Sequence, residues 1–176
     1  AVTDHGDMFG IKEFHDYCIG INKGRKKEGL PPFKPIFGCE MYVSRYGSKL
    51  LKDDKRHQSG YHLIVLAKNE VGYKNLIKLV SRSWTDGFYM RPRTDHADLE
   101  KYHEGLIVCS ACIAGEVPRK ILNGDIAGAR QSIEWHKRVF GDDYYLEVMK
   151  HKTEVPGMST ETYEQQCIYT EEIFNL

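Results

Sequence analysis

The amino-acid sequence predicts an α/β fold with a parallel sheet. Apolar runs of strand length alternate with segments of helical periodicity, and the connections are short apart from one polar excursion at residues 44–60. Alternation of this kind places helices over parallel strands. Five strands are predicted, too few to close a barrel, so we expect part of a barrel in a chain cut from a longer one. The first begins at residue 1, and the others span residues 35–43, 61–67, 105–110 and 144–149.

Length, composition and charge exclude several classes of protein. With 176 residues, 41% of them hydrophobic, the chain suits one globular domain with its own core. Lys plus Arg and Asp plus Glu both number 25, so any nucleic-acid contact must be local rather than due to an overall basic field. No apolar run reaches transmembrane length, so no membrane association is expected. Five cysteines without a signal-peptide pattern favour reduced thiols and a cytoplasmic location.

The first strand delivers a histidine to a loop. Two apolar residues run directly into Asp4 and His5, and Gly6 permits a tight turn before a helix over about residues 8–22. The basic residues 23–27 at the end of that helix suit the negative end of its dipole. A solvated helix terminus and a phosphate-binding patch are about equally good explanations of them.

Glu40 and His62 lie inside the next two strands. Residues 35–43 are too continuously apolar for a surface strand and fit one covered on both faces, so Glu40 needs a cation, a metal or hydrogen bonds. The excursion at residues 44–60 is a long loop or a hairpin, and we expect it to be mobile. His62 lies near the start of the strand at residues 61–67, which does not fit a site built from strand ends. A core histidine remains the alternative there.

The second half of the chain supplies two more candidates. Cys112 comes just after the strand at residues 105–110, and His151 comes just after the strand at residues 144–149. Cys109 forms a Cys-x-x-Cys pair with Cys112, but it lies within an apolar run, so we assign it to the core. Further helices are predicted over about residues 70–83, 115–123, 125–140 and 159–176. Ser159 is the predicted N-cap of the last one.

Two intervening segments have structural explanations. Residues 84–93 are rich in aromatic and basic side chains, which could stack on bases, although a packed loop is the favoured explanation. The tripeptide Thr94-Asp95-His96 repeats the opening one, but Thr94 or Asp95 as the N-cap of a following helix accounts for it. We therefore do not assign His96 to the site.

Five residues are candidate ligands of one metal site. Imidazole, carboxylate and thiolate donors together favour zinc, manganese or iron over calcium or magnesium. Each residue taken singly has a structural alternative, such as a buried arginine partner for Glu40 or an ordinary buried thiol at Cys112. Their repetition at strand after strand favours the metal site, whose ions could activate water and neutralise a phosphate. The candidates are His5, Glu40, His62, Cys112 and His151.

Eight short motifs are spread along the chain. They are TDHG at residues 3–6, MFG at 8–10, GCEMYV at 38–43, YHL at 61–63, KNE at 68–70, GYKNL at 72–76, SAC at 110–112 and GE at 115–116. Together these motifs resemble the PHP (polymerase and histidinol phosphatase) domain of the alpha subunit of bacterial DNA polymerase III. The resemblance covers nearly the whole chain, and residues 61–118 are specific to that subunit rather than to stand-alone PHP phosphoesterases.

The resemblance implies a distorted seven-stranded β/α barrel with a polynuclear metal site at one rim. His5, Glu40, His62, Cys112 and His151 match family ligands, and the first three would also be catalytic. It further implies a DNA-directed DNA polymerase as the parent, with 3′–5′ proofreading by this domain. DNA, the sliding clamp and a separate exonuclease subunit would be the partners.

The chain also departs from the family pattern. It has neither the His-x-His motif that opens the family site nor the Asp-x-His motif that closes it, and it lacks the polymerase carboxylates. We therefore expect residues 1–176 to be a PHP domain fragment without the first strand and the last part of the barrel, with an incomplete metal site and little activity alone. A non-catalytic structural or docking domain and a histidinol-phosphatase-like enzyme are the alternatives.

Overall fold

The α/β fold class is confirmed, with six strands and six α-helices among the described residues. The computed structural model describes residues 1–150 and 160–176. The strands are β1 (Val2–His5), β2 (Phe37–Ser44), β3 (Gly60–Ala67), β4 (Arg93–Thr94), β5 (Leu106–Cys109) and β6 (Tyr144–Tyr145). The helices are α1 (Ile11–Lys27), α2 (Glu70–Thr85), α3 (His96–Lys101), α4 (Glu116–Leu122), α5 (Ile126–Phe140) and α6 (Thr160–Asn175).

The six strands form one sheet in which β2 is central. β1 pairs in parallel with the first half of β2, and β4 pairs in parallel with its second half. On the other side of β2 the order continues through β3 and β5 to β6. This arrangement is consistent with part of a PHP-type barrel.

The prediction of a fully parallel sheet is wrong at β3. This strand runs antiparallel to both of its neighbours, β2 and β5, whereas β5 and β6 are parallel to each other. The loop between β2 and β3, which is residues 45–59 of the excursion, contains a short 3₁₀ turn (Lys55–Gln58) but no α-helix. Because a parallel crossover requires a long return path, usually through a helix, the chain here turns back as a long hairpin instead.

Strands β4 and β6 also differ from the predicted strands. β4 was not predicted, because Arg93 ends the segment that we assigned to a packed loop and Thr94 was considered as a helix N-cap. β6 ends at Tyr145, four residues earlier than the predicted strand. Asp95 caps α3 by accepting a hydrogen bond from the backbone N–H of Asp98, which confirms the predicted helix start.

The main core lies between the sheet and helix α2. The last seven residues of β2 are all buried, which confirms that this strand is covered on both faces. Their apolar members pack with side chains of β3, β5 and α2. A second cluster of buried side chains joins α4, α5 and α6. Among the described residues no helix is both long enough and apolar enough to cross a bilayer.

The excursion between β2 and β3 is held to the body of the domain. Lys49 is buried and its ammonium lies 2.6 Å from a carboxylate oxygen of Asp98. The guanidinium of Arg93 donates to the backbone carbonyls of Lys49, Leu51 and His57. These contacts argue against the mobility that the polar composition suggested.

Candidate metal centre

Three strands and one loop bring four of the predicted ligands together. His5 is the last residue of β1 and is paired in register with Glu40 of β2. His62 belongs to β3, where Tyr42 is its partner in register, so Glu40 and His62 are diagonal neighbours across the β2–β3 pair. Cys112 lies in the loop between β5 and α4.

The reversed direction of β3 explains the position of His62. In a parallel strand, a residue near the start would lie at the rim opposite to the ends of its neighbours. Because β3 runs the other way, its start lies beside the carboxyl end of β2. The sequence position of His62 therefore fits a site built at one rim of the sheet, which the assumption of parallel strands did not allow.

The Glu40 carboxylate bridges two imidazoles. One of its oxygens hydrogen-bonds to Nδ1 of His5, and the other lies 2.9 Å from Nδ1 of His62. The thiol sulfur of Cys112 lies 3.7 Å from the same His62 nitrogen. Ligand atoms of Glu40, His62 and Cys112 all lie within 4.8 Å of one another. One ion could therefore contact all three side chains.

The electrostatics of this group favour charged side chains. Hydrogen bonds with Cys112 and Glu40 raise the pKa of His62 to about 9, against the opposing effect of burial. Burial alone would raise the pKa of Glu40, but hydrogen bonds from His62 and His5 outweigh it and the net pKa is lowered. The pKa of Cys112 is likewise lowered, because its contact with His62 outweighs burial. His62 thus carries a proton beside the Glu40 carboxylate, and a bound cation would displace that proton.

Glu147 is a functional candidate that sequence reasoning missed. One of its carboxylate oxygens accepts a hydrogen bond of 2.8 Å from the backbone N–H of Ala111, the residue before Cys112. Ala111 has φ of 62°, a left-handed conformation that is unfavourable for any residue other than glycine. Glu147 therefore helps to hold the turn that positions Cys112. A carboxylate in an otherwise apolar run was the available signal.

The other candidate residues lie as follows. Cys109 lies at the end of β5 and is only partly buried, so its assignment to the core holds only in part, and burial raises the pKa of its thiol to about 11. His96 lies at the start of α3 and contacts Glu116 rather than the group around Glu40. His151 lies outside the described residues, so its role stays a prediction. Metal binding by His5, Glu40, His62 and Cys112 also stays a prediction, although their donor atoms are those that suit zinc-like ions.

Fold and site together define an α/β domain with imidazole, carboxylate and thiol groups gathered at one sheet rim. The family model of the PHP domain matches residues 1–151. The chain belongs to the PHP domain family.

The relatives that match this chain include alpha subunits of DNA polymerase III. The DNA polymerase III subunit alpha of Borreliella burgdorferi is 50% identical over 151 residues, which cover 86% of this chain and 12% of the relative. That of Treponema pallidum is 41% identical over 158 residues, covering 86% and 12%. That of Chlamydia trachomatis is 36% identical over 171 residues, covering 96% and 13%. The chain thus spans about an eighth of the length of these relatives.

Proposed function

We propose that residues 1–176 belong to the PHP domain of a DNA polymerase III alpha subunit and form part of a metal-dependent phosphoesterase that removes nucleotides from DNA 3′ ends. The observation that carries this proposal is the group formed by Glu40, His62 and Cys112, in which three kinds of metal donor lie within reach of one ion. The polymerase relatives support the assignment of the parent.

In this proposal His5, Glu40, His62 and Cys112, with His151, hold zinc, manganese or iron. When bound, such ions make water nucleophilic near neutral pH and stabilise charge on a phosphate and on the leaving 3′ oxygen. Glu40 orients the imidazoles of His5 and His62 through its two oxygens. His62 carries a proton on the nitrogen that faces Glu40 and Cys112, so loading of the site should release it.

The partners and location follow from the proposed parent. A replicative polymerase subunit acts on DNA in the cytoplasm and works with a sliding clamp and a separate exonuclease subunit. The net charge of zero gives this chain no overall electrostatic attraction to DNA. We therefore propose that other parts of the parent hold the DNA while this domain acts on its 3′ end.

A structural or docking domain is the second candidate. Helix α1 and the turn before it expose large apolar side chains that the described residues leave uncovered: Phe9 is 81% and Tyr17 69% exposed. Exposed aromatic side chains of this kind often mark interaction surfaces. A domain that braces the polymerase or docks another subunit would need such a surface but would not need the donor group around Glu40.

The two candidates are separated by release of nucleotides from a 3′-labelled primer. The full polymerase subunit is assayed without dNTPs and free of other exonucleases, across a series of zinc, manganese and iron concentrations. We expect His62→Ala and Cys112→Ala each to lower the rate by roughly a hundredfold or more, since even outer-shell changes cost 10–100-fold. His103→Ala, which removes an exposed histidine whose ring contacts the backbone carbonyl of Glu100, is the matched control and should keep full activity.

Two outcomes would contradict the phosphoesterase proposal. A subunit that binds metal but releases no 3′ nucleotides would favour the docking role. Equal activity of the Cys112→Ala variant and the parent would remove this donor group from the reaction. The 176-residue chain is assayed in parallel, where we expect little or no release.

A further inference from the structure

A second group of donor side chains lies outside the candidate centre. His96 at the start of α3, Glu116 at the start of α4 and His136 within α5 present ligand atoms that all lie within 4.8 Å of one another. These residues are far apart in sequence and come from three helices. Nothing in the group around Glu40 accounts for their convergence.

His136 is the strongest sign of a missing partner. Its side chain is 1% exposed. Nδ1 lies 2.8 Å from the carbonyl oxygen of Ser132 and donates to it, which leaves Nε2 as a bare acceptor. This buried Nε2 has no hydrogen-bond partner. A buried polar atom without a hydrogen-bond partner destabilises the folded state. An unpaired imidazole lone pair among other metal-ligating side chains therefore indicates that a ligand binds there.

Neighbouring rings hold both imidazoles in place. The ring of His136 stacks on Tyr144 with 4.8 Å between centroids, and the ring of His96 stacks on Trp135 at 4.0 Å. Fixed rings lose little conformational entropy when they bind an ion. This pre-organisation favours a metal site over a chance contact between surface histidines.

Glu116 supplies the negative charge. Burial alone would raise its pKa, but hydrogen bonds from His96 and Lys120 outweigh it and lower the pKa to about 2, so the group is ionised. Oε1 is taken by the ammonium of Lys120 at 2.7 Å, while Oε2 lies 3.1 Å from Nε2 of His96. The oxygen that faces the histidines is therefore the one available to an ion.

Part of the group is open to solvent and faces away from the first centre. His96 and Glu116 line a cavity of about 430 Å³ together with Tyr61, whereas His136 is buried and does not line it. Tyr61 precedes His62 in β3, and successive side chains of a strand point to opposite faces. An ion could therefore reach His96 and Glu116 on one face while Glu40 and His62 remain on the other.

We propose that His96, Glu116 and His136 form a second metal site that binds one divalent transition-metal ion of the zinc class. Two imidazoles and one carboxylate with an open position are a donor set that such ions accept. The ion would satisfy Nε2 of His136 and tie α3, α4 and α5 together. This inference does not depend on the proposed phosphoesterase function.

Cobalt(II) is a suitable probe because a paramagnetic ion bound beside His96 quenches the fluorescence of the stacked Trp135. The full chain carries Trp84→Phe, which leaves Trp135 as the only tryptophan, and is titrated with Co²⁺ alone. We expect saturable quenching that persists after Cys112→Ala. His136→Phe, which keeps a ring among its aromatic neighbours, should weaken Co²⁺ binding by roughly a hundredfold, about one ligand's share of a structural metal's affinity. His103→Phe is the matched control and should leave it unchanged.

Circular dichroism without metal checks that each variant is folded, and Glu116→Gln serves in place of His136→Phe should the latter unfold. Absence of saturable quenching would overturn the proposal. Equal affinity of the parent and the folded site variant would also overturn it. If His103→Phe weakens binding as much as His136→Phe, the ion binds surface histidines and the assigned site is wrong.

Discussion

Arg93 is expected to hold the excursion between β2 and β3 in place. Its side chain is fully buried, and this burial lowers its pKa. No carboxylate in the described part of the chain forms a direct ion pair with it. The guanidinium instead donates to four backbone carbonyls, at Gly87, Lys49, Leu51 and His57. Three of these lie in the excursion, so one side chain stands in for the backbone pairing that this segment lacks.

The magnitude follows from these four bonds. Hydrogen bonds to a charged group contribute about 1.5–3 kcal/mol each, which sets an upper bound of roughly 6–12 kcal/mol. Desolvation of the guanidinium opposes this by several kcal/mol, and released carbonyls can bind water. We therefore expect Arg93→Met to lower the free energy of unfolding by about 3–5 kcal/mol.

Urea denaturation measures the loss, and limited trypsin digestion reports on the excursion, which contains several lysines. Arg91→Met is the matched control, because Arg91 is exposed and its guanidinium lies 5.5 Å from the ring centre of Tyr42. It should cost no more than about 1 kcal/mol. If Arg93→Met costs no more than the control and cleavage within the excursion is not faster, Arg93 does not anchor this segment.

Two further predictions concern packing and pH. Gly72→Ala should destabilise the domain by about 1–3 kcal/mol in urea, since a Cβ would lie 1.7 Å from a carbonyl oxygen of the facing turn. Gly24→Ala, with nothing within 4 Å of the new atom, should stabilise α1 by about 0.5–1 kcal/mol, and the same sign for both would refute the packing argument. Burial would raise the pKa of Asp98, but hydrogen bonds from Arg82 and Lys49 outweigh it, so the pKa lies below the usual 3.8. The ionised carboxylate therefore stabilises the folded state above that pH, and this stabilisation is lost as the pH falls through the lowered pKa. Lys49→Met should therefore cost more stability near pH 7 than near pH 3, and a cost independent of pH would exclude this ion pair as its source.

Strand positions were predictable where burial leaves a continuous apolar pattern. The pattern of residues 35–43 predicted a strand covered on both faces. Glu40 was a candidate site residue because a carboxylate within such a strand needs partners. Strand direction was not predictable, because the alternation of side chains is the same for both directions. The position of His62 was the one visible sign of the reversal.

Polar contacts between residues distant in sequence were the second feature that the sequence could not predict. Arg93 was assigned to a packed loop, but its full burial was not predicted, because arginine is almost never fully buried without partners and the sequence does not show its carbonyl partners. The N-cap explained Asp95 completely but did not account for His96 next to it. Its partners Glu116 and His136 lie on other helices, so only the fold could bring them together.

Because β3 runs antiparallel to β2, the candidate centre depends on the register in which these two strands pair. Glu40 and His62 face each other because β2 and β3 are aligned with Tyr42 opposite His62. A slip of one residue would turn one of the two side chains to the opposite face of the sheet. The length of the excursion does not set this alignment. Insertions in the excursion would leave the centre intact. A single residue inserted within β3 that shifts its register would instead separate His62 from Glu40 of β2.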